Sequence, residues 1–186
     1  MHHSLTCDQI SKLLEERGIF WREPEVDDSL EAKGFSGGFP YEYLIHLRRA
    51  FALSSAGMAV TPATATSKEQ YTQDLQVVRG QTSILYSHLL LHGGVDGYYI
   101  PVPLPEPAIR AGHSVGSSQR LIAELTSFAS AIDISLDEEG NLTEEAAAKL
   151  DLISSSSPYA PERFAWYQLY QACAASIADG HAIVLH

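Results

Sequence analysis

The chain has 186 residues, 45% of them apolar, and carries 23 acidic against 12 basic side chains, a formal net charge of −11. That apolar fraction excludes wholesale disorder, and the length suits one domain, taken as residues 1–186. The charge argues against nucleic acid and anionic lipid as partners, because phosphate binding is built on Lys and Arg. Cys7 and Cys173 are too far apart in sequence to suggest a disulfide framework. No secretory signal and no apolar run of about 20 residues is found, so a cytoplasmic location without membrane association is the default.

In chain order, a first helix is predicted over Cys7–Arg17, with Thr6 and Gln9 as a capping box and Gly18 as its stop. Residues 22–39 read as a long loop. Pro40 suits the first turn of a second helix, with Leu44, Leu47 and Phe51 on one face and Gly57 at its end. "VTPATATS" reads as a linker. After Ser67, the stripe Tyr71, Leu75, Val78, Thr82, Leu85, Leu89 and His92 predicts a third helix over Lys68–His92, ended by Gly93 and Gly94. The period then changes to two at Tyr98, Ile100, Val102 and Leu104, which predicts a strand, and the interleaved Pro101 and Pro103 place it at a sheet edge. A fourth helix is predicted over Ser118–Asp133 with Leu121, Leu125, Phe128 and Ile132 inward. A short fifth is capped by Thr143, and a last one carries Trp166, Tyr170 and Cys173 and stops at Gly180. The terminal "HAIVLH" reads as a strand that pairs with residues 98–104. The fold expected is mainly α (α+β): five or six helices with a two-stranded β element near residues 98–104 and 182–185.

Several residue groups carry potential chemistry. Gly112-His113-Ser114-Val115-Gly116 has the spelling G-x-S-x-G and resembles the nucleophile elbow of α/β-hydrolases, with His92-Gly93-Gly94 upstream and Asp133 or Asp179 followed by His181 downstream. An elbow needs a buried parallel strand leading into it. The preceding "PLPEPAIRA" argues against one, so Ser114 is assigned to a turn that starts the fourth helix, with Ser117 or Ser118 as N-cap. His88 and His92, four apart on a predicted helix, could share a metal, with His113 or His181 as a third ligand. Their simpler reading is a helix-terminal histidine and its neighbour. In "DISLDEEGNLTE", Asp133, Ser135, Asp137 and Glu144 have the spacing of a calcium loop, but Glu138 stands where glycine is needed. The segment reads as an acidic turn between helices. Tyr98 and Tyr99, beside Asp96 on the predicted edge strand and facing opposite ways, leave at least one ring exposed for docking.

The function expected from these residues is non-catalytic. The chain reads as an acidic binding or regulatory protein that engages a protein partner, a basic one being favoured by charge, and that is inhibitor- or immunity-like in composition only. Its binding residues would be Tyr98, Tyr99 and Asp96. No cofactor and no nucleic acid is expected, and a homo-oligomer is compatible with the sequence. The alternatives are a small serine hydrolase using Ser114 and His181, and a His88/His92 metal-binding protein.

Overall fold

The structure, a computed structural model, describes residues 6–25, 34–91, 97–110 and 113–186. Six α-helices dominate it: α1 (Cys7–Glu15), α2 (Tyr41–Ser55), α3 (Lys68–Ile84), α4 (Ser118–Ser127), α5 (Glu144–Asp151) and α6 (Ala160–Asp179). Four short strands, β1 (Gly97–Ile100), β2 (Ala108–Arg110), β3 (His113–Ser117) and β4 (Ile183–Leu185), form one sheet in the order β2-β3-β1-β4. The protein is thus mainly α with a small β element. The predicted C-terminal pairing is found in it: β4 runs antiparallel to β1, with Val184 opposite Tyr98 and Ile183 opposite Tyr99. Among the described residues, no helix is long and apolar enough to cross a membrane.

The helix starts follow local chemistry. Thr6 and Gln9 form the reciprocal capping box of α1, while Ser67, Ser117 and Thr143 accept the N–H of Gln70, Arg120 and Ala146. Such caps satisfy N–H groups that the first helical turn leaves without intrahelical partners. Gly180, at φ +80°, ends α6 in the left-handed conformation that side-chain-bearing residues avoid.

Two parts of the fold depart from the sequence pattern. The apolar stripe carries α3 only to Ile84. In a continued helix, the N–H groups of His88 and Leu89 would bond to the carbonyls of Ile84 and Leu85. Instead both donate to the Glu124 carboxylate on α4, at 2.8 and 2.9 Å, and the Ser87 hydroxyl joins them at 2.8 Å. A charged acceptor from a neighbouring element thus wins the donors and turns the chain.

The second departure is the sheet. β1 lies inside it, between β3 and β4, rather than at an edge. The prolines that pointed to an edge lie beyond the strand, in the stretch 101–107 that begins the crossover a parallel β1–β3 pair requires. β3 itself has the sequence His-Ser-Val-Gly-Ser, a poor strand former that tertiary pairing on both sides overrides.

The sheet divides the apolar interior in two. On one side Tyr99 joins the larger core of Leu47, Phe51, Leu121, Leu125, Phe128 and Trp166, contributed by α2, α4 and α6. On the other side Tyr98, Ile100 and Val115 pack with Ile10, Leu13 and Leu14 of α1. The helix α6 packs on both α2 and α4. Its Trp166 is fully buried and donates its indole N–H to the Leu125 carbonyl at 2.7 Å.

Candidate functional site

The residues that looked chemical in the sequence are mostly spent on the fold. His88 is fully buried. Its Nδ1 accepts the Ser117 N–H at 2.9 Å, so Nε2 carries the proton and donates to the Leu104 carbonyl at 3.2 Å. Both nitrogens are engaged, and burial lowers its pKa to about 4, which keeps the ring neutral. His88 lies in a turn rather than on a helix. His92 lies outside the described residues, as does Asp96.

Tyr98 and Tyr99 do face opposite sides of the sheet, but neither is exposed. They are 6% and 3% accessible, because β1 is covered on both faces. The Tyr99 hydroxyl donates to the His88 carbonyl at 2.9 Å, and burial pushes its pKa up. The expected docking edge is corrected accordingly.

Ser114 is not in a turn. It is buried within β3, opposite Gly97 on one side and Ile109 on the other. A parallel strand does lead straight into a helix here, as an elbow requires, but the residue at that junction is Ser117. The Ser117 hydroxyl is occupied as the N-cap of α4. His181 lies elsewhere, with Nδ1 2.8 Å from Glu23 Oε1.

Among the described residues, a dense run of exposed carboxylates lies between Asp133 and Asp151. This segment holds seven acidic residues and a single lysine, so it supplies six of the eleven net negative charges. All seven (Asp133, Asp137, Glu138, Glu139, Glu144, Glu145 and Asp151) are exposed. Two are paired with cations: Asp133 with Arg163 at 2.9 Å and Glu145 with Lys149 at 2.7 Å. The Lys149 hydrogen bond holds the Glu145 pKa below its usual value and so keeps that group ionised.

The backbone under these charges is braced. Asp133 adopts φ +56°, a left-handed conformation that Asp tolerates better than most residues, at the end of the 3-10 turn Ala129–Ile132. Arg163 on α6 fixes that end by donating to the Ile132 carbonyl at 2.7 Å. Asp137 then closes a tight turn, its Oδ1 accepting the N–H groups of Glu139 and Asn141 at 3.0 and 2.7 Å. Leu136 and Leu142 bridge across the base of that turn and pack against the larger core. The Leu142 N–H donates to the Tyr170 hydroxyl at 3.1 Å, and Tyr170 stacks on buried Trp166 with 4.9 Å between ring centroids. Thr143 then starts α5, whose Leu150 is buried. A shallow depression lined by Thr126, Ser130, Asp133, Ser135 and Asp137 lies along the face.

The structure therefore defines an acidic, mainly α protein with seven exposed carboxylates on one segment whose backbone is braced. Residues 2–185 match the family described as "Putative DNA-mimic protein", and the chain belongs to that family. Among curated proteins and solved structures, nothing matches.

The family corrects two of the expectations. The chain was read as an inhibitor-like binder of an unspecified protein partner, and its partner set left nucleic acid out altogether. Both gave the charge the wrong meaning. Anionic surface that repels DNA is what a substitute for DNA requires, because the ligand being copied is itself a polyanion.

Proposed function

We propose that this protein acts as a DNA mimic in the cytoplasm, the whole chain working as one globular unit, and that its Asp133–Asp151 face takes the place of the phosphate backbone in the DNA-binding site of a DNA-binding protein. The observation that carries this reading is the family match over residues 2–185, together with seven exposed carboxylates on one braced segment. The charge density is of the right order. Duplex DNA carries about one charge per 1.7 Å of axis, and α5 alone is roughly 12 Å long at 1.5 Å per residue. One strand of a duplex of that length presents about three or four phosphates, against the three carboxylates of α5, Glu144, Glu145 and Asp151. Preorganisation matters as much as number. The Asp137 turn and the Tyr170 and Arg163 anchors fix the charges before binding, so little ordering entropy remains to be lost.

The test is retention and competition. Extract from the source cells is passed over the immobilised protein at low salt, and the column is then washed with a 20-base-pair duplex. The expected result is a retained DNA-binding protein that the duplex releases. It should bind at least ten-fold more weakly to a variant carrying Glu138→Gln, Glu139→Gln, Glu144→Gln and Glu145→Gln. Retention that neither the duplex nor the four substitutions reduce overturns the proposal, as does the absence of any DNA-binding protein from the retained fraction.

A further inference from the structure

A cavity of about 420 Å³ lies along the C-terminal part of α6, lined by the helix from Gln168 to Asp179. Its volume is in the range of small-molecule pockets. The walls are mostly apolar, with Phe35 and Phe39 from the loop 34–39, Leu169, Ala172 and Ala175 from α6, and Ile183 from β4. The loop sits close to the helix: a Cβ at Gly37 would collide with Gln168 Oε1 and with the Phe35 ring.

The electrostatics of this cavity are one-sided. The 20-residue α6 ends here at Asp179 with no basic residue in its last turn, so the negative end of its dipole is uncompensated and carries a carboxylate as well. Glu23 stands at the same rim, accepting the Ala182 N–H at 3.0 Å and facing His181 Nδ1. Among the described residues, the other titratable groups that line the space are His181 and His186, and no lysine or arginine does. Two phenylalanine rings add faces that attract cations.

We propose that this cavity is a binding site for a small amphipathic amine or quaternary ammonium compound. Its apolar body lies between the loop 34–39 and α6, and its cationic head sits at Asp179 and the C-terminal end of the helix. The proposal is independent of the DNA-mimic reading, since it uses none of the residues of the acidic face.

Titration with n-octylamine and with octanoate at pH 8, followed by amide chemical shifts, separates charge selection from simple apolar uptake. The amine is expected to saturate with a Kd at least ten-fold below that of octanoate, shifting the amides of Ala172, Ala175, Asp179 and Val184. Ala175→Trp, which fills the cavity, is expected to abolish binding of both probes. Asp179→Asn, at an exposed position, is expected to lower amine affinity several-fold and leave octanoate unchanged. It decides the question on its own should the tryptophan variant fail to fold. Equal binding of the two probes overturns the proposal. So do amine-induced shifts confined to residues 133–151, and amine binding that Asp179→Asn leaves unaltered.

Discussion

The carboxylates of Asp74, Glu124 and Glu162 and those of the Asp133–Asp151 segment share a chemistry and do opposite jobs. Asp74 and Glu162 are buried and Glu124 is half-buried. Arg49, itself fully buried on α2, donates to Asp74 at 2.6 Å and lies 3.7 Å from Glu162. Its Nη2 also reaches the Thr61 carbonyl and the Thr61 and Thr66 hydroxyls at 2.7–2.9 Å. Glu162 accepts the Ala63 N–H at 2.8 Å, so the linker between α2 and α3 is fastened to α6 through a carboxylate. Glu124 does similar work for the turn after α3. The seven outside are exposed; Asp133, Asp137 and Glu145 also pair with Arg163, the Glu139 and Asn141 N–H groups, and Lys149. A buried carboxylate is retained because its partners would be stranded without it, whereas an exposed one contributes little to stability and is available for binding.

The largest effect is expected where that contrast is broken inside the molecule. Arg49→Leu leaves two buried carboxylates without their cation, and removing one partner of a buried pair typically costs about 3–5 kcal/mol. For a chain of this length that is a fall in Tm on the order of 10 °C, measurable by calorimetry. A drop no larger than that of an average surface substitution would show that Asp74 and Glu162 are solvated and that the contrast between the two regions is not real.

A smaller effect is expected from pH, and it has a definite sign. Burial lowers the His88 pKa to about 4, below the ordinary value near 6.5. A group with a depressed folded-state pKa stabilises above its unfolded pKa and loses that contribution as pH falls through the folded one. The stability due to neutral His88 is therefore complete above about pH 6.5 and declines toward pH 4, by about 3 kcal/mol. Glu124 works the other way. Burial raises its pKa above the ordinary carboxylate value, against the lowering effect of its three hydrogen bonds. Its protonation at low pH therefore favours the folded state and offsets part of the loss. Urea titrations from pH 7 to 4.5 should show the decline, flattened in His88→Asn, where the side-chain oxygen keeps an acceptor for the Ser117 N–H. An equally steep decline in the variant would remove His88 as its cause.

The same division explains how much could be read from the sequence. Helix starts were legible because capping is local: Thr6 with Gln9, Ser67 and Thr143 each sit beside the N–H they satisfy. The pairing of β4 with the strand at Tyr98 was legible from period-two alternation. The end of α3 was not, because the group that stops it, Glu124, lies more than thirty residues away in sequence. β3 was hidden by a composition of His, Ser and Gly and by the prolines before it, which belong to the crossover. With β3 missing, β1 became an edge, Tyr98 and Tyr99 became exposed, and a docking site followed that the structure covers on both faces. The reading of "DISLDEEGNLTE" as an acidic turn between helices was legible for the same local reason as the caps, because Asp137 accepts the N–H groups of Glu139 and Asn141 beside it.

The smallest effect on stability should come from the largest change in charge. Glu138, Glu139, Glu144 and Glu145 are exposed, and a surface substitution of this kind usually alters stability by no more than about 0.5 kcal/mol. Replacing all four with glutamine removes mutual repulsion among neighbouring carboxylates but also gives up the Glu145–Lys149 pair and the favourable placement of two acids in the first turn of α5. These opposing contributions leave Tm within a few degrees of the parent. The same four substitutions are expected to weaken binding to a DNA-binding target at least ten-fold and to flatten its dependence on salt, since fewer ionic contacts form with the partner. A variant that stays folded yet no longer binds would separate the two populations of carboxylate by function. A large fall in Tm would instead assign the exposed set to the fold and draw the two regions together.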